Sequence, residues 1–284
     1  MTVTPETGRY GIWRGSVGLT PELALAAEGA GFGTLWIGGS PPADLRQAQE
    51  LLEATTTLVV ATGIVNVWAS DPHAAAASFH RIEAAHPGRF ILGVGIGHPE
   101  ATREYASPYE SLATYVDDLV ADGVPREQIV LAALGPRVLR LSRDRTAGAH
   151  PYLTPPAHTR SAREILGSGV LLAPEHKVVL DEDPVRARAL GRQTVEFYLG
   201  LTNYVSNLHR LGFTEADTTS PGSDALVDAL VAHGTDDAVA AQLVAHLEAG
   251  ADHVAVQLLT ADADDHAEVT DGFRRLGKAL GATA

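Results

Sequence analysis

The chain has no cysteine in 284 residues. That absence excludes disulfides, thiolate-bound zinc, iron–sulfur clusters and thiol nucleophiles, and accords with a cytoplasmic protein. No run reaches the roughly 18 consecutive apolar residues of a membrane span, and the N-terminus lacks the basic start and apolar core of a signal peptide. Basic residues are also in deficit. Lys and Arg number 21 against 35 Asp and Glu, a formal charge of -14, so most of the surface repels nucleic acid and anionic lipid, and neither partner is expected. A phosphate-bearing ligand would need a local site of backbone N–H groups and a few arginines. There is no His-Glu-x-x-His for a metal and no Gly-x-Ser-x-Gly elbow for a serine hydrolase. His73 with His80, and His246 with His253, are spaced seven apart on predicted helices and read as solvated or core imidazoles rather than metal ligands.

What is present is a regular alternation of strand and helix. Short β-rich runs occur at Arg9 to Trp13, Thr34 to Ile37, Leu58 to Trp68, Phe90 to Ile96, Ile129 to Leu134, His150 to Leu153, Val170 to Leu180 and Val254 to Leu259. Between them, apolar residues recur at helical spacing, as in Leu23, Ala26, Ala27 and Ala30, or Val239, Leu243 and Leu247. Thr20-Pro21, Asp71-Pro72, Thr154-Pro155 and Asp183-Pro184 place a capping side chain before a proline suited to the first helical turn. Gly31, Gly88, Gly123, Gly148 and Gly250 stand where a helix must stop.

Eight such units predict a (β/α)₈ barrel in one domain over residues 1–284, with an insertion at about 181–250 between the seventh and eighth strands that includes a long helical pattern from Pro184 to Leu211. Chemistry in such a barrel sits at the C-terminal ends of the strands. The run from Phe90 to Pro99 breaks into glycines at 93, 95 and 97, and Gly38 and Gly63 also fall at strand ends. Glycines there either bare the backbone to a flat ligand or relieve packing between strands. The run is not a dinucleotide fingerprint, because its third glycine comes one residue early and His98-Pro99 follows in place of a helix. Trp36 reads as core, while Trp13 and Trp68 at strand ends could wall a ring ligand.

Several stretches together resemble the luciferase-like oxidoreductases, in particular the branch that uses the deazaflavin coenzyme F420. They are Ala61-Thr62-Gly63-Ile64-Val65-Asn66, Asp71-Pro72-His73, Pro87-Gly88-Arg89 with the glycine strand, Gly135-Pro136-Arg137, Ala149 to Leu153, Asn203-Tyr204 and Gly250-Ala251-Asp252-His253. The resemblance spans essentially the whole chain. It implies a bacterial-luciferase-like TIM barrel with the cofactor ring in its mouth, beside a non-prolyl cis peptide that falls here at Gly63-Ile64. It puts Gly38, Val65, Asn66, Gly97 and His98 near the ring. Ala133, Leu134, Gly135, Pro136, Tyr152 and Leu153 then lie by the phosphate-bearing tail, with Arg137 in reach.

The chain departs from the family's alcohol and sugar-phosphate dehydrogenases at two points. Gly38-Gly39-Ser40 replaces an acid–base pair after the second strand, and His98 stands where they carry a glutamate. His98, with an ordinary pKa near neutrality, is therefore the candidate catalytic residue. Trp13, Trp68, Asn203 and Tyr204 are candidates for the substrate side. The expected protein is a homodimeric F420-dependent oxidoreductase that moves a hydride between the deazaflavin C5 and a small organic substrate. The alternatives are an FMN-dependent monooxygenase and a flavin-binding barrel without turnover.

Overall fold

The computed structural model describes residues 5–97 and 108–282. Its strands and helices follow in the order β1 (Tyr10–Gly15), α1 (Pro21–Gly29), β2 (Thr34–Gly38), α2 (Arg46–Ala54), β3 (Val59–Gly63), β4 (Val65–Asn66), α3 (Pro72–Ala85), β5 (Phe90–Gly95), α4 (Pro108–Ala121), β6 (Ile129–Leu131), α5 (Pro136–Arg145), β7 (Gly148–Ala149), α6 (Pro156–Leu166), β8 (Leu171–Leu172) and β9 (Glu175–Val179). Then come α7 (Pro184–Leu199), α8 (Thr202–Arg210), α9 (Glu215–Thr218), α10 (Asp224–Leu230), β10 (Val231–His233), α11 (Asp236–Glu248), β11 (Val254–Leu258) and α12 (His266–Ala279).

All the pairings are parallel, as crossover helices require. The sheet runs from β10 through β9, β11, β1, β2, β3, β5, β6 and β7 to β8. Two of its members, β8 and β9, are parts of one run joined by Ala173-Pro174. On one side Ala173 and Glu175 donate to the carbonyls of Ala149 and Pro151; on the other, Ala255 donates to Pro174. The sheet therefore closes on itself as a barrel. Above that closure β9 takes on β10, a strand from the segment between β9 and β11, through Lys177 to Val179.

Thr20, Asp71 and Asp183 cap their helices from just before a proline, as the spacing predicts. Thr154 does not. Pro155 takes the cap position of α6, so the threonine sits one residue too early and its Oγ1 is buried with no partner. Gly148 is not a helix stop either: it lies in β7, where a Cβ would come within 1.9 Å of the Leu171 carbonyl oxygen. Consequently the sixth strand starts at Gly148, earlier than His150, and residues 150–153 continue it as extended chain. The predicted long helix from Pro184 divides at Gly200-Leu201 into α7 and α8.

The core has two layers. Outside the sheet, Leu23, Leu35, Leu51, Val60, Phe79, Phe90, Leu119, Val256 and Phe273 pack strands against helices, each completely or almost completely buried. Inside the barrel lies a smaller cluster of Trp13, Trp36, Val59, Ala61, Ile91, Val130, Ala173 and Ala255. Arg89 explains the Pro-Gly-Arg stretch structurally: its guanidinium donates to the carbonyls of Leu58, Leu52 and Thr55 and to the Thr55 hydroxyl, fixing the entry of β5 to the loop after α2. The histidine pairs are satisfied without metal. His73 and His80 both bond to Asp122, whereas His246 bonds to Thr159 and His176, and His253 to Trp36 and Gly8.

Candidate active site

Parallel register puts Gly15, Gly38 and Gly63 side by side at the upper ends of β1, β2 and β3, two residues beyond Trp13, Trp36 and Ala61. The space this row vacates is filled by the chain itself. A Cβ on Gly38 would lie 2.0 Å from Cζ2 of Trp13, and one on Gly63 would lie 2.9 Å from its Nε1. The Trp13 indole is thus the platform laid over the bare backbone. It leaves no room for a side chain at Gly38, the last residue of β2.

The glycine strand is closely approached by its neighbours. Gly93 accommodates the Thr62 carbonyl oxygen, which a Cβ would meet at 1.8 Å; Gly95 faces Ala132 and Ile64, and Gly97 faces the Asn66 amide. At each of these glycines the missing side chain makes room for a close neighbour, the Thr62 backbone at Gly93 and side chains at Gly95 and Gly97. The packing is tight because β3 and β4 carry one residue more than β5 between their pairings, Ala61 with Ile91 and then Val65 with Val94. Within that extra length the Gly63-Ile64 peptide is cis.

Opposite the indole, the inner face of the later strands is polar. Residues at alternate positions share a face, so His150 and Tyr152, Glu175 and Lys177, and Gln257 all point inward. Lys177 Nζ lies 3.0 Å from both Glu175 oxygens, and both side chains are fully buried. The Glu175 carboxylate also accepts the N–H of Leu153. Burial pushes the Glu175 pKa up and the Lys177 pKa down, each opposed by attraction to the other. Lys177 Nζ sits 3.9 Å from the centre of the Tyr152 ring, which also packs against Trp13 at 5.0 Å, Tyr198 at 5.1 Å and Tyr204 at 6.3 Å. The Tyr198 hydroxyl donates to that of Tyr152, which donates to Gln257 Oε1. Burial raises both phenol pKa values, so these hydroxyls keep their protons.

His150 stacks on Trp36 at 4.1 Å, and its Nδ1 lies 2.7 Å from the Ala173 carbonyl oxygen. A carbonyl only accepts, so Nδ1 carries the hydrogen and Nε2 presents a lone pair. Burial lowers this imidazole's pKa to about 3. Neither His150 Nε2 nor Trp13 Nε1 has a hydrogen-bond partner, and both are buried.

At the next strand ends, α5 begins at Gly135 with no side-chain cap. The Leu134 carbonyl is bonded to His158, a guanidinium nitrogen of Arg210 lies 3.9 Å from the Cβ position of Gly135, and Arg210 donates to Asn207. Asn207 is buried with its Nδ2 unpartnered. Arg137, expected to help there, lies over the Tyr109 ring instead.

Of the residues singled out in the sequence, Trp13, Gly38, Gly63 and Tyr152 are brought together, with Tyr204 behind Tyr152 and Tyr198. Asn66 and Gly97 meet each other. Val65 and Ala133 are buried in the outer layer, so only their backbones are available to the mouth; Leu153 packs with residues of α7, α8 and α10. Pro136 opens α5, the Trp68 backbone N–H donates to Asn66 Oδ1, and Asn203 is half-buried on α8. His98 lies outside the described residues. Glu175, Lys177, His150, Gln257, Tyr198 and Arg210 were not chosen from the sequence. The available signal was a pair of opposite charges two residues apart within a strand. A separate cavity of about 380 Å³ opens at the ends of β9 and β11, lined in part by Asp181, Arg186, Leu259, Glu268 and Arg275.

Residues 3–121 match the luciferase-like monooxygenase family. No curated protein matches the chain. Among solved structures, an F420-dependent secondary alcohol dehydrogenase in complex with an F420–acetone adduct superposes with a TM-score of 0.75 at 16% identity, covering 98% of this chain and 100% of that one. The F420-dependent tetrahydromethanopterin reductase of Methanopyrus kandleri gives 0.69 at 15%, covering 97% and 99%. The FMN-bound oxygenating constituent of 3,6-diketocamphane monooxygenase from Pseudomonas putida gives 0.69 at 13%, covering 96% and 97%. The luciferase-like barrel read from the sequence is therefore the fold of this chain. Among the described residues no helix is long and apolar enough to cross a membrane, and no group of acidic, histidine or cysteine side chains could hold a metal ion.

Proposed function

We propose that the protein is a deazaflavin-dependent oxidoreductase that moves a hydride between C5 of coenzyme F420 and a small organic substrate. The observation that carries this reading is the pair of buried, partnerless ring nitrogens on Trp13 and His150 beside the glycine row. Those groups fit a flat heteroaromatic ring with polar edges. The uncapped start of α5 at Gly135, with Arg210 beside it and the Asn207 amide next to Arg210, suits an anionic tail. The deazaflavin, when bound, supplies a hydride-carrying carbon and no oxygen chemistry. The chain supplies the polar wall of Tyr152, Lys177 and Gln257, and in this reading His98 as the proton-handling group.

The F420-dependent neighbours favour the deazaflavin. The family's description as monooxygenases favours a second reading, FMN with oxygen as co-substrate. Titration of the purified protein with F420 and with FMN, followed by ligand fluorescence, separates them. Saturable binding of F420 with FMN at least tenfold weaker supports the first reading. Binding of FMN alone supports the second, and binding of neither overturns both. Full turnover by His98→Gln with F420 and a true substrate would remove His98 from the mechanism. The homodimer belongs to the same proposal and is checked by sedimentation.

A further inference from the structure

Two nitrogens at the base of the mouth are buried and unpartnered: Nε1 of Trp13, whose residue is 8% exposed, and Nε2 of His150, at 2%. They converge, since the position a Cβ would take on Gly63 is 2.9 Å from the first and 3.2 Å from the second. An indole N–H can only donate. The imidazole nitrogen can only accept, because its partner nitrogen is committed to the Ala173 carbonyl and the ring stays neutral. An unmade bond at a buried polar atom is costly, whereas a partner that satisfies both atoms at once is strongly selected.

We propose that Trp13 and His150 form a two-point recognition niche for a neutral ligand edge carrying one hydrogen-bond donor beside one acceptor. An imide edge of a flavin-type ring has that character, and so does a hydroxyl. An anion would satisfy Trp13 but present another lone pair to His150, and a cation would do the reverse. A ketone would leave His150 unpaired. The niche deepens the reading of the mouth given above, yet it stands or falls on its own measurement.

The test uses ¹⁵N-labelled protein, in which the Trp13 indole N–H signal is assigned by its loss in Trp13→Phe. Should that variant not fold, Trp36→Phe and Trp68→Phe assign it by elimination, the chain having 3 tryptophans. The probes are lumiflavin against 3-methyllumiflavin, which lacks the imide hydrogen, and cyclohexanol against cyclohexanone. The expected result is that lumiflavin or cyclohexanol shifts the Trp13 signal and binds at least tenfold more tightly than its donor-less counterpart. In His150→Phe, which keeps a ring on Trp36, that preference falls below about threefold. The responding pair tells whether the edge comes from a ring or a hydroxyl.

The inference is overturned if no probe moves the signal, if donor-less probes bind as well as their parents, or if the preference persists in His150→Phe. Binding of F420 or FMN with the Trp13 signal unmoved by every probe sinks the niche alone. A shift by cyclohexanol in a protein that binds neither cofactor sinks the cofactor reading alone.

Discussion

The wall formed by β1, β2 and β3 and the wall formed by the sixth strand, β9 and β11 face one another across the same barrel, built of opposite materials. The first offers Gly15, Gly38 and Gly63 under one large indole. The second offers His150, Tyr152, Glu175, Lys177 and Gln257, tied into hydrogen bonds and an ion pair. One wall is shaped by missing side chains, the other by charged and polar ones tied to each other. The contrast teaches that shape and chemistry are assigned to different strands here, so they can be perturbed separately.

The largest expected effect strikes the polar side and the outer layer behind it. His150 has its pKa lowered to about 3, His176 and His253 to about 4, and His246 well below its ordinary value, all chiefly by burial. Unfolding frees each to bind a proton near pH 6.5, so between that value and about 4 the unfolded state holds more protons. The stabilisation is complete above pH 6.5 and lost as the pH falls, at about 1.4 kcal/mol per pH unit for each imidazole. Urea unfolding between pH 7 and 4.5 should show stability dropping by several kcal/mol, approaching the whole stability of an ordinary domain. A flat profile would mean that these rings are accessible to protons in the native state.

Next in size is the buried ion pair. Lys177→Met strands the Glu175 carboxylate away from water and should cost about 3 to 5 kcal/mol in urea unfolding. Adding Glu175→Gln should recover most of that loss, since a neutral amide can still accept the Leu153 N–H. No recovery in the double variant would show that the charge itself is required.

The smallest effect probes the glycine wall. Gly38→Ala forces a methyl into the Trp13 ring and should cost about 1 to 3 kcal/mol. In a Trp13→Ala background the same methyl should be nearly neutral, and a double-mutant cycle measures that coupling. An uncoupled Gly38→Ala would separate the two residues and dissolve the platform.

The alternation of strand and helix was legible because each unit carries its own periodicity and its own punctuation at Thr20, Asp71 and Asp183. The site was half legible. Trp13, Gly63 and Tyr152 stood out by lying at strand ends, but what fills a glycine's empty position is decided by register between strands far apart in sequence. Hence the strand from Phe90, the most conspicuous in the chain, proved to be shaped by Thr62, Ile64 and Ala132. Glu175 and Lys177 were hidden for a similar reason. A charge in a strand looks like a solvated edge until the barrel closes around it.

The way β10 lies against Lys177 to Val179 has a consequence for modularity. The segment between the seventh and eighth strands leaves the barrel after β9 and is stitched back to that same strand before α11 begins. Its far end is therefore part of the sheet, not an appendage hung from a loop. Grafting this segment onto another barrel would require transplanting the β9 edge with it, and shuffling among related chains should cut on the N-terminal side of Glu175 rather than at Leu180.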